Sequence, residues 1–224
     1  MSAKFARPDF SEYLVHFTKD PAPLASKDET DPHILKIASM TAKDRLISIL
    51  NSRRIRATRM PWTNKPAVCF TECTWASLFE HTKRYSRYGI GFTKKHLFSK
   101  GGAPAIYLPP GLMEHQKGYA RPKSAFADEL FAFITPFCPP YAPDKYKNRF
   151  WSGKKDVDFT HEREWRTPHD LDFSLSEVEF VIVATYEDMA KAPKNLKDRI
   201  GRDKWLLMNN YEKVERLWPV HILP

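Results

Sequence analysis

Tyr13-Leu14-Val15-His16-Phe17-Thr18 alternates as a pleated strand does, with Tyr13, Val15 and Phe17 on one face and Leu14, His16 and Thr18 on the other. Residues 12–18 therefore predict a strand that is apolar on both faces except for one imidazole. Pro, Ala, Ser, Lys, Asp, Glu and Thr then crowd residues 21–32, the composition of an exposed loop. A helix is expected to start at Thr41, with Asp44 three residues on as a short-armed capping box. Leu46, Ile47 and Leu50 form its apolar stripe, and the following Arg53, Arg54 and Arg56 suit its negative end.

The same reading extends along the chain. Residues 67–72 predict a second strand, and Trp75, Leu78 and Phe79 a brief helix. Tyr88-Gly89-Ile90-Gly91-Phe92 predicts a third strand. It lacks the third glycine of a dinucleotide fingerprint and any lysine–serine/threonine pair, so its alternate glycines are read as room for an aromatic ring or ligand to approach the backbone. Residues 103–108 are strand-like. Residues 124–134 predict a helix carrying Phe126, Leu130, Phe131 and Ile134, ended by Pro136. Proline and aromatic residues make 136–153 an irregular packed loop; 163–167 and 179–184 predict the remaining strands, with a final apolar run at 205–208. Short strands with two clear helices and no βαβ rhythm indicate an α+β fold, expected as a single domain over residues 1–224.

Bulk properties narrow the function classes. Hydrophobic residues make up 42% of 224, enough for a core, while the mean hydropathy is −0.53. The longest apolar runs fall far short of the ~20 residues of a membrane span. The first ten residues hold no apolar segment of a secretory leader, so a cytoplasmic protein is expected. Cys69, Cys73 and Cys138 offer neither a disulfide framework nor a zinc ligand set, and read as thiols in a reducing compartment. The net charge of +9 is partly local: residues 81–113 contain Lys83, Arg84, Arg87, Lys94, Lys95 and Lys100 and no acid. A second cluster joins Lys191, Lys194, Lys197, Arg199, Arg202 and Lys204. Such fields attract phosphate-bearing partners, nucleic acid or a dinucleotide, although a merely solvated surface has the same composition.

Thr160-His161-Glu162-Arg163-Glu164-Trp165-Arg166 carries the densest chemistry. Read as a strand, it projects Glu162, Glu164 and Arg166 to one face. One carboxylate could orient a substrate hydroxyl while the other opposes developing positive charge. The bland alternative is an ion-paired solvent face of an edge strand. His16 is the other candidate, able to donate a hydrogen bond to a ribose or phosphate oxygen. A one-metal nuclease built on Asp156, Asp158, Glu162 and Glu164 would need a strand-borne lysine, and Arg163 stands there instead.

Taken in order, residues 13–18, Leu46 to Leu50, Val68-Cys69-Phe70-Thr71-Glu72, residues 81–92 and Glu162-Arg163-Glu164-Trp165-Arg166 resemble the AbiGi-type abortive-infection proteins. That resemblance implies the antitoxin side of a phage-resistance pair. A more distant similarity is to ADP-ribosyltransferases, which implies a split sheet and NAD as cofactor. On that similarity His16 holds the NAD ribose, and Tyr88 or Phe92 stacks on the nicotinamide. Arg54 or Arg56 holds the pyrophosphate, with Arg166 in the same binding set. Glu164 is the catalytic carboxylate and Glu162 orients the acceptor, a nucleic acid or protein. The alternative implied is a non-catalytic nucleic-acid- or protein-binding antitoxin or regulator that contacts its partner through Lys83, Arg84, Arg87, Lys94, Lys95 and Lys100.

Overall fold

The computed structural model describes residues 10–21, 32–72, 74–109, 111–112, 125–143 and 156–217. Cys73, most of the 21–32 loop and the 144–153 part of the proline-rich loop lie outside the described residues. The chain is a mixed α+β fold of short strands and helices. In chain order the described strands are β1 Tyr13–Phe17, β2 Arg54–Ile55, β3 Thr58–Arg59, β4 Pro66–Glu72, β5 Gly89–Thr93 and β6 Ala103–Pro104. They continue as β7 Ile106–Leu108, β8 Ile134–Pro136, β9 Glu164–Thr167, β10 Leu171–Asp172, β11 Phe180–Val183 and β12 Trp205–Leu207. No helix among the described residues is long and apolar enough to cross a membrane.

Two compact units divide the chain, and both are discontinuous in sequence. One comprises Met1–Arg54, Cys73–Lys94 and Asp172–Pro224; the other comprises Ile55–Glu72 and Lys95–Leu171.

In the first unit the strands run in the order β12-β11-β5-β1. β5 pairs antiparallel with both β1 and β11, while β11 and β12 are parallel. The alternation in β1 works as expected. Val15 and Phe17 pack with Leu78, Ile182 and Met208 in one core cluster, and Leu14 is fully buried on the opposite face. The helix Ala42–Ser52 buries Ala42, Leu46 and Leu50, and Thr41 caps it by accepting a hydrogen bond from the Asp44 amide. Arg53 ends it in a left-handed conformation, φ 56°. Gly91 lies opposite Phe180 in the β5–β11 ladder, and a Cβ there would fall 2.5 Å from that ring. The glycine in mid-strand is thus required by the close approach of an aromatic side chain.

In the second unit β4 pairs antiparallel with β9, β9 with β6, and β3 with β4. A parallel pair, β7–β8, lies beside them in sequence, and the helix Ala125–Phe133 runs directly into β8. Met60, Ala67 and Ala132 form a buried cluster against which Trp62 and Cys69 pack.

Candidate functional site

β9 is an inner strand, flanked by β4 and β6, and its charged residues are buried rather than solvated. Only residues 164–167 are extended; Glu162 belongs to a 3₁₀ turn, Thr160–Glu162, and Arg163 follows it at φ 44°. Glu162 is therefore not on the strand face that alternation assigns to it. The reason is local: the left-handed Arg163 breaks the period-2 pattern between the two carboxylates.

Glu164 and Arg166 do share a face, opposite Thr71 and Cys69 of β4. Arg166 is 0% exposed. Its Nε donates to Glu164 Oε1 at 2.9 Å and its Nη2 to Glu164 Oε2 at 2.6 Å. The other donors reach the carbonyls of Ala132 at 2.9 Å and Ile134 at 3.1 Å, and the Thr135 hydroxyl at 2.5 Å. Each of the five guanidinium N–H groups has an acceptor. Burial alone would lower the arginine's pKa, but the hydrogen bonds and charge of Glu164 outweigh it and raise it. Two of the acceptors are carbonyls at the end of the helix Ala125–Phe133, where orphaned C=O groups and the negative end of the dipole favour a cation.

The residues around this pair are partly buried. Burial, then the Glu164 charge, pushes the Cys69 thiol well above its ordinary range, so it is not a thiolate nucleophile. The Tyr107 hydroxyl donates to the Phe159 carbonyl at 2.9 Å and is raised by burial and then by the charges of Glu164 and Glu162. The Trp62 ring lies 5.4 Å from the Arg166 guanidinium carbon, with its indole N–H donated to the Ile134 carbonyl at 2.6 Å. Among the described residues no group of His, Cys, Asp and Glu is arranged to hold a metal ion.

The first unit holds His16, Arg54, Tyr88 and Phe92. His16 is half-buried on β1 opposite Ile90. Phe92 is fully buried, edge-on to Phe173 at 5.1 Å, so its ring belongs to the core and presents no face to a nicotinamide. Tyr88 donates its hydroxyl to Asp188 at 2.9 Å, and burial followed by that hydrogen bond pushes its pKa up to about 12. Asp188 also accepts from Lys43 Nζ at 2.8 Å and from the Thr185 hydroxyl at 3.0 Å. Burial opposes ionisation of Asp188, yet these donors win and hold it below the usual carboxylate range. Sequence reading passed over Asp188, although Thr185 three residues before it is a helix-capping signal that could have drawn attention to the pair. Arg54 makes a two-pronged pair with Asp172, at 2.5 and 2.8 Å, on an exposed surface. Arg56, in the second unit, is exposed.

The basic run is divided between the units. Lys83 and Arg84 are exposed in the last turn of the helix Trp75–Arg84, and Arg87 is ion-paired to Glu212 at 2.8 Å. Lys94 sits over the Phe10 ring at 4.0 Å. Lys95 and Lys100 are exposed in the second unit.

Residues 39–207 match the family described as "Putative abortive phage resistance protein AbiGi, antitoxin". No curated protein and no solved structure matches the chain.

Proposed function

This chain belongs to the AbiGi family of phage-resistance antitoxins, and we propose that it acts in phage defence by binding, as a non-catalytic antitoxin or regulator. One observation carries the choice of binding over ADP-ribosyl transfer. The carboxylate that transfer requires, Glu164, is buried with both oxygens on Arg166. A carboxylate that stabilises an oxocarbenium-like ribose must face the substrate and hold its charge in reserve until the transition state. Glu164 instead neutralises a buried guanidinium. Phe92, buried in the core, is equally ill-suited to stack on nicotinamide.

On this reading the partner is a toxin protein or a nucleic acid, and exposed cations such as Lys83, Arg84, Lys95 and Lys100 supply long-range attraction. The test has two arms. Co-expressed with its cognate toxin, the chain restores growth. Titrated with millimolar NAD in a calorimeter, it gives no binding heat, and mass spectrometry finds no released nicotinamide. Release of nicotinamide by the wild-type chain, lost in a folded Glu164→Gln variant, would instead establish the transferase.

A further inference from the structure

We draw no further inference here: the strongest candidate, the surface patch around Phe98, 71% exposed on the short helix Lys94–Ser99 and flanked in sequence by exposed Lys95 and Lys100, carries nothing because nothing in the structure shows what covers it.

Discussion

Arg166 is the more deeply buried of the two charged residues of β9, 0% exposed on an inner strand. Its guanidinium is spent on Glu164, Thr135 and the carbonyls of Ala132 and Ile134, so it ties β9 to the end of a helix and to β8. A buried pair of this kind adds little net stability, since desolvation offsets most of the attraction; breaking it is another matter. Arg166→Met strands a buried carboxylate and should cost about 3–5 kcal/mol in urea-induced unfolding. Glu164→Leu/Arg166→Met removes both charges and should recover part of that loss. The remainder reports the Ala132 carbonyl left without the Arg166 donor, the Ile134 carbonyl keeping the Trp62 indole N–H. A single-variant loss below about 1 kcal/mol would show that the pair is solvated rather than buried.

The short helix Tyr186–Lys191 is anchored by side-chain hydrogen bonds at its start. Thr185 caps it by accepting from the Asp188 amide at 3.1 Å, and the Asp188 carboxylate then gathers Lys43 and Tyr88. The shift on Tyr88 has a sign that can be followed. Unfolded, the phenol ionises near pH 10; folded, it holds its proton up to about 12. Between those values the folded state binds the proton that the unfolded state releases, so stability is intact below about pH 10 and falls as pH rises through about 12. Urea titrations across that range should show the fall, and Tyr88→Phe should make it shallower. Tyr107 and Cys69 are shifted the same way by burial, so the slope shrinks rather than vanishes. An unchanged slope in Tyr88→Phe would mean the Tyr88–Asp188 bond does not persist in solution. Elements such as β1, β5 and the Thr41-capped helix were legible in sequence because their periodicity and caps are set within a few residues. The fate of Glu164 and Arg166 was not, because alternating charges read the same on a wet edge strand and on an inner strand. Only the pairing with β4 and β6, remote in sequence, and the approach of Ala132 and Thr135 decide between them.

For the molecule as a whole the net charge of +9 does not say which cations face a partner. Much of the second basic cluster is held by neighbours at the surface: Lys191 pairs with Glu187 and Arg202 with Asp198, while Lys197 and Lys204 donate to the carbonyls of Met189, Ala190 and Val178. Lys43, Arg54 and Arg87 have carboxylate partners as well. Lys83 and Arg84 are exposed at the C-terminal turn of the helix Trp75–Arg84. Part of their use is local, since cations complement the negative helix end by about 0.3–1 kcal/mol each. Reversing both, Lys83→Glu/Arg84→Glu, should therefore lower the melting temperature by only a few degrees. If the chain works by electrostatically steered binding, the same change should cut the association rate with its partner at least tenfold at low salt. It should leave the dissociation rate nearly unchanged, and the difference from wild type should shrink as salt is raised. Stopped-flow association at two ionic strengths, beside a thermal melt, separates the two roles. A full-sized melting shift with unaltered association would assign both residues to the helix end alone.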